Sequence, residues 1–250
     1  MSVDLKHKRI LLTRTSRDNG SWMEALARRG IVGIDLPCIQ TTTLQEAALE
    51  LANNLRACDG LLFTSARAVR ALRQLCPDTD LSKHLCACVG ITTASALEEA
   101  GGQVEFTAPE GTAQSLGQAW IDRIAPDVLP LWPRAFDARA ELVPLFEEHS
   151  RQLLSLPIYR TSPRTDIDRE LTSSEDAVFF ASPSAVDAFM APGQAPPNTP
   201  VISIGPSTTQ ALEERGVTVA AQANERSLEG MLEALEGYLT TLSNPDRPSF

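Results

Sequence analysis

A chain of 250 residues with 43% hydrophobic and 22% charged residues is long enough for one large or two medium domains, and its globular composition excludes disorder and collagen-like repeats. A formal net charge of −10 and a pI near 4.8 argue against nucleic acid as a partner, because phosphate binding shows as a basic surface. No apolar run approaches the ~20 residues of a membrane helix, and the N-terminus MSVDLKHKRILLTR has only a short apolar patch, so the expectation is a cytoplasmic protein with no membrane partner.

Ten short apolar runs read as strands: RILLT at 9–13, VGIDL at 32–36, GLLFT at 60–64, CACVG at 86–90 and QVEF at 103–106, then VLPLW at 128–132, LLSLP at 153–157, AVFFA at 177–181, VISIG at 201–205 and VTVA at 217–220. Helical patterns fall between them, as in NGSWMEALARRG, where Trp22, Met23, Leu26 and Ala27 share one face. Alternating strand and helix signals predict an α/β fold with parallel sheet. APGQAPPNTP at 191–200 reads as a Pro-rich loop, and the tail SNPDRPSF as a mobile segment outside the core.

The chain says nearly the same thing twice. VGITTASALEEAGG at 89–102 returns as IGPSTTQALEERGV at 204–217: a strand end, a glycine, a turn with adjacent hydroxyls, a helix carrying A-L-E-E or A-L-E-E-R, and a glycine stop. LLFTSARAV at 61–69 returns as VFFASPSAV at 178–186, so Ser65 aligns with Ser182. Arg14 and Arg134 lie 120 residues apart and each leads to a Leu-Pro pair, Leu36-Pro37 and Leu156-Pro157. Thr112 and Ser227 align in the same order. These landmarks define two copies of a five-stranded unit. The Leu-Pro segments LPCIQTTT and LPIYRTSP look extended, with proline at a strand end, and read as crossings between domains.

Five cysteines, Cys38, Cys58, Cys76, Cys86 and Cys88, include no C-x-x-C, and His7, His84 and His149 belong to no ligand motif. No metal is expected, and no P-loop, G-x-G-x-x-G fingerprint or Ser-His-Asp order calls for a cofactor or a strong nucleophile. Ser65, Thr92, Thr93, Ser182, Ser207 and Thr208 all stand at strand-to-helix turns, the end of a parallel α/β sheet where ligands bind and helix N–H groups lie unpaired. Each could equally be an N-cap. Arg14, Arg67 and Arg134 follow strands and are the cationic candidates; surface charges in solvent are the alternative.

The ordered set ILLTR, LLFTSARAV, VGITTASAL, LPIYRTSP, VFFASPSAVDAF and ISIGPSTTQALEERG resembles the uroporphyrinogen-III synthase family over essentially the whole chain. Ala66 departs from it at a turn position where proline is common, and Ile91 at one that is usually polar or proline. The resemblance implies two similar flavodoxin-like domains, each a five-stranded parallel sheet with flanking helices, joined by a two-strand linker. The first domain comprises 1–36 and 160–250, the second, inserted domain 37–159, and the linker strands lie near 36–42 and 156–162. It implies a cofactor-independent, monomeric lyase of the hydro-lyase type. Such an enzyme closes the linear tetrapyrrole hydroxymethylbilane to uroporphyrinogen III with inversion of ring D. The family carries a functional tyrosine on the return crossing, which falls on Tyr159; in the first copy the equivalent is Ile39. A phenol with a reference pKa of about 10 stays protonated at neutral pH and can give a proton to a leaving hydroxyl, although an aromatic packing the hinge fits the same position.

If the two domains face a shared cleft, Arg14, Ser65, Arg67, Thr92, Thr93, Arg134, Ser182, Ser207 and Thr208 would present hydroxyls, N–H groups and charges suited to the eight carboxylates of the substrate. Two other functions fit the missing catalytic motifs: a cytoplasmic two-domain protein that binds a small polycarboxylate without catalysis, and a protein-binding scaffold, which no amphipathic or low-complexity module supports.

Overall fold

A computed structural model of the chain describes residues 3–138, 141–167, 175–191 and 196–243. The chain runs β1 (Arg9–Leu12), α1 (Ser16–Ala27), β2 (Val32–Asp35) and β3 (Ile39–Thr43), then α2 (Ala48–Ala57), β4 (Gly60–Phe63) and α3 (Ala66–Leu75). It continues through β5 (Leu85–Cys88), α4 (Ile91–Glu99), β6 (Val104–Thr107), α5 (Ala113–Arg123), β7 (Pro130–Ala135), α6 (Leu142–Glu148) and β8 (Leu154–Pro163). Last come β9 (Ala177–Phe180), α7 (Pro183–Phe189), β10 (Val201–Ser203), α8 (Pro206–Glu213), β11 (Ala221–Gln222) and α9 (Leu228–Ser243). Residues 192–195 of the Pro-rich loop, and all but the first residue of the tail, lie outside the described residues.

Two compact units result, residues 1–40 with 162–250 and residues 41–161. The sheet of unit 1 has the order β11-β10-β9-β1-β2, and the registered pairs are all parallel. Strand side chains alternate between two apolar layers. Leu11, Val178 and Phe180 pack with Val186, Phe189 and Leu212 of α7 and α8. Ile10, Leu12 and Phe179 pack on the other face with Leu26 of α1 and Met231 and Leu235 of α9. Each large side chain buried there adds about 1.5–3 kcal/mol relative to exposure.

The second sheet has the order β3-β8-β7-β4-β5-β6. Its helices divide in the same way, with α2, α3 and α4 over Leu61, Phe63, Cys86 and Cys88, and α5 and α6 over Leu62, Ala87 and Trp132. Gly60 is required by this second layer, because a Cβ there would stand 2.3 Å from the Trp120 ring and 2.9 Å from the Leu85 carbonyl oxygen. Four cysteines are buried and Cys76 is partly buried, all with free thiols.

Two expectations change. The second sheet has six strands where five were expected, because the crossing segment Ile39–Thr43 becomes strand β3 beside β8. The last strand is displaced from 217–220 to Ala221–Gln222. Val217 is spent on ending α8: Gly216 takes a positive φ of 72°, and the Val217 N–H returns to the Leu212 carbonyl at 3.0 Å. The first copy stops α4 in the same way, with Gly101 at φ 81° and the Gly102 N–H on the Leu97 carbonyl at 2.9 Å. This return bond satisfies carbonyls that a helix end otherwise leaves open, and glycine reaches the left-handed conformation without a Cβ clash.

Candidate functional site

In both units the predicted site residues gather at the carboxyl ends of the parallel strands, where the following helices begin. In unit 2 the chain leaves β4 through Thr64 into Ser65, whose extended backbone (φ −161°, ψ 150°) makes it the N-cap of α3. The Ser65 hydroxyl accepts from the Ala68 N–H at 3.2 Å and also meets the Tyr159 hydroxyl at 2.8 Å. Capping and contact with the tyrosine are therefore two uses of one oxygen.

Tyr159 reaches Ser65 from β8. The β7–β8 register shifts between Arg134 and Ala135, so that Arg134 faces Pro157 and Ala135 faces Tyr159. A bulge of this kind re-aims side chains at a strand end. The ring is 6% exposed and packs in the same apolar cluster as Phe63, Val69 and Ile158. Burial is the main influence on the phenol and raises its pKa above the usual value; Asp137 adds to the rise, while the Ser65 hydrogen bond, Arg67 and Arg70 oppose it. The group is thereby kept as a neutral O–H donor at physiological pH.

Arg67 lies in the first turn of α3, half-buried, and acts on the phenol through its charge. Arg134 is committed to its own strand end. It donates to the Ser155 hydroxyl at 2.9 Å and to the carbonyls of Ala135 and Phe136 at 2.9 and 3.2 Å, with its guanidinium 5.7 Å from the Trp132 ring centroid. In unit 1, Arg14 pairs with Asp18 at 3.9 Å and lies 4.5 Å from the Trp22 ring centroid. Each of the two repeated arginines thus lies by a tryptophan of its own, Trp22 or Trp132, and both differ from the free surface charge weighed above.

The Gly-led turns behave differently from the serine turns. At α4 the N-cap is Gly90 in extended backbone, and its carbonyl takes the N–H groups of Thr93 and Ala94, both at 3.0 Å. At α8 the N-cap is Gly205, whose carbonyl takes those of Thr208 and Thr209, again at 3.0 Å. No side chain caps either helix. Thr92, Thr93, Ser207 and Thr208 are therefore not caps, since glycine occupies that position. Thr92 and Ser207 stand exposed in the first turn, while Thr93 and Thr208 are buried at 5% and 1% exposure. Ser182 does cap its helix, accepting from the Ala185 N–H at 3.3 Å, and its hydroxyl meets that of Ser184 at 3.1 Å.

Three further charges escaped the sequence reading. Arg70 and Asp137 both act on the Tyr159 phenol; the only local signal was their spacing, Arg70 one helical turn beyond Arg67 and Asp137 three residues after Arg134. Arg226 lies against Gly205, where an added Cβ would sit 3.5 Å from its Nε. Among the described residues no three His, Cys, Asp or Glu side chains converge as metal ligands, and no helix is long and apolar enough to cross a membrane.

A family model described as "Uroporphyrinogen-III synthase HemD" matches residues 20–233. A "Uroporphyrinogen-III synthase" of Synechococcus elongatus is 25% identical over 92% of this chain and 95% of that protein. A "Putative uroporphyrinogen-III synthase" of Methanothermobacter thermautotrophicus is 29% identical over 85% of this chain and 90% of its own length. Among solved structures, the uroporphyrinogen-III synthetase of Helicobacter pylori superposes with a TM-score of 0.64 over 90% of this chain and 97% of that one, at 19% identity. A mutant uroporphyrinogen III synthase of Thermus thermophilus gives 0.58 over 94% and 99%, also at 19% identity. At that identity the structural likeness bears on the fold, which is α/β with two parallel-dominated sheets.

Proposed function

Because the chain belongs to the uroporphyrinogen-III synthase family, we propose that it closes hydroxymethylbilane to uroporphyrinogen III in haem biosynthesis, as a lyase that releases water. The observation that carries the reading is the buried Tyr159 hydroxyl, 2.8 Å from Ser65 at the end of the unit 2 sheet. The names of the relatives weigh against a polycarboxylate-binding protein without catalysis.

The chemistry asks little of the protein beyond one proton and a shape. Tyr159 gives its proton to the terminal hydroxyl of the substrate, which leaves as water and leaves behind an electrophilic azafulvene in its N-protonated form. The substituted carbon of ring D attacks it, forming a spiro intermediate that fragments and recloses with ring D inverted. Rearomatisation releases one proton, which restores the phenol. Ser65 serves this step in one of the two directions its bond to Tyr159 can take. As donor to the phenolic oxygen it frees the tyrosine O–H to face the leaving group and stabilises the phenolate formed. Since the free substrate can close alone to the uninverted isomer I, the remaining work is regiochemical, holding the chain so that the crowded carbon reacts first.

Carboxylate recognition falls to the strand ends of each unit. Thr92 and Ser207 offer exposed hydroxyls beside helix N-termini, whose unpaired N–H groups and positive dipole ends favour anions. Arg67 adds a nearby charge in unit 2, and Arg14 and Arg134 shape the two strand ends that they fasten. Ser182, Thr93 and Thr208 complete the turns from behind. Each unit reads as a flavodoxin-like domain. The order of unit 1 is 2-1-3-4-5 when its strands are counted along the chain, and unit 2 repeats that order in permuted form with β3 added at its edge. The linker strands lie near 36–42 and 156–162, and the protein acts as a monomer without a cofactor.

The test generates hydroxymethylbilane in place, adds the protein, oxidises the products and separates the isomers by chromatography. Predominantly type III is expected; type I at the spontaneous rate would overturn the reading.

A further inference from the structure

Phe136, the first residue after β7, retains 53% exposure although its N–H is held by the Tyr159 carbonyl at 2.7 Å. Leaving a phenylalanine in water forgoes much of the ~1.5–3 kcal/mol that its burial would contribute. On β8 Ile158 and Tyr159 are both buried, and Arg160, the next residue, is exposed. The Arg160 guanidinium carbon lies 4.1 Å from the Phe136 ring centroid. Among the described residues the Arg160 side chain makes no hydrogen bond or ion pair, whereas Arg134 spends its donors on Ser155 and two carbonyls. A guanidinium held over an aromatic face is pre-oriented, and its fork of N–H donors matches a carboxylate. The fold does not demand this pair: 120 residues earlier the first copy has Ser16 and Gln40.

We propose that Arg160 and Phe136 form a carboxylate-binding subsite for the substrate. Arg160 takes one acetate or propionate group through paired N–H donors, and the Phe136 ring offers an apolar wall to the pyrrole that carries it. The subsite rests on the synthase reading, and it adds to that reading a specificity residue on the strand that carries the proton donor. Charge-assisted paired hydrogen bonds of this kind are about twice as strong as neutral ones, so losing them should cost roughly tenfold in affinity.

Two measurements on the full-length protein test it. One is fluorescence titration with uroporphyrin, the oxidised octacarboxylate, and the other is the steady-state kinetics of hydroxymethylbilane closure. Arg160→Gln is expected to weaken uroporphyrin binding about tenfold and to raise KM by a similar factor with a smaller change in kcat. Arg160→Lys should restore part of both, as a point charge that cannot make the paired contact, and Phe136→Leu should weaken binding less than Arg160→Gln. Unchanged binding and KM in Arg160→Gln would overturn the subsite, as would a wild-type protein that does not bind uroporphyrin. The two readings fail separately. A wild type that forms no type III but binds uroporphyrin through Arg160 sinks the synthase and supports the subsite, while type III formation indifferent to Arg160 does the reverse.

Discussion

In unit 1, Ser182 caps α7 and its hydroxyl meets Ser184 at 3.1 Å; in unit 2, Ser65 caps α3 with the same backbone geometry and meets the Tyr159 phenol at 2.8 Å. The Gly90 and Gly205 turns match just as closely, each with a glycine carbonyl taking two N–H groups and a buried threonine behind. What differs is the partner supplied from the crossing strand. The second copy brings Tyr159, where the first has Ile39, buried in the apolar cluster of unit 1. The turns recur in both units, and the tyrosine hydroxyl is an addition to one of them.

The largest expected effect breaks that difference directly. Tyr159→Phe removes the donor and leaves the ring in place, and should slow turnover by roughly a hundredfold, the lower end for a positioned general acid, with little change in the thermal midpoint. Unchanged initial rates would retire the tyrosine as the acid.

A paired substitution sharpens the comparison further. Ser65→Ala and Ser182→Ala each remove a cap and should each cost about 1 kcal/mol of stability. Only Ser65→Ala should also lower kcat, by an amount smaller than Tyr159→Phe. Equal kcat losses in the two variants would show that the serine acts through its helix alone.

The pH profile follows from the same pair. A phenol whose pKa is raised by burial stays protonated as pH rises, so the contribution of Tyr159 should be flat between about pH 6 and 9 and fall only above its ordinary value of about 10. A decline in kcat centred near neutrality, absent in Tyr159→Phe, would assign the phenol a lowered pKa and contradict its burial. The smallest effects belong to the shared turns. Thr93→Val and Thr208→Val should weaken product binding severalfold with less effect on stability, and a loss confined to thermal stability would make both residues packing groups.

Much of this architecture is legible in the sequence because it is local. The glycine stops at Gly101 and Gly216, the apolar strands and the serine caps depend on neighbours within a few residues, and their repetition marks them twice. Val217 misled for the same reason, since its β-branched run looks like a strand until the helix end claims it. The pairing of β3 beside β8 and the 94-residue span between Ser65 and Tyr159 are long-range contacts without a local pattern. Tyr159 is singled out by the family resemblance, and nothing local points to Ser65 as its hydrogen-bond partner. Arg160 and Phe136 stayed hidden because each is unremarkable until the β7–β8 pairing sets one over the other.

The most direct measurement follows wild type and Tyr159→Phe side by side from freshly generated hydroxymethylbilane, with the type III to type I ratio read over time. Rapid, predominantly type III product from the wild type is expected, with slow type III from the variant overtaken by spontaneous type I. Equal rates and equal type III yields from the two proteins would contradict a proton donor placed in one unit alone.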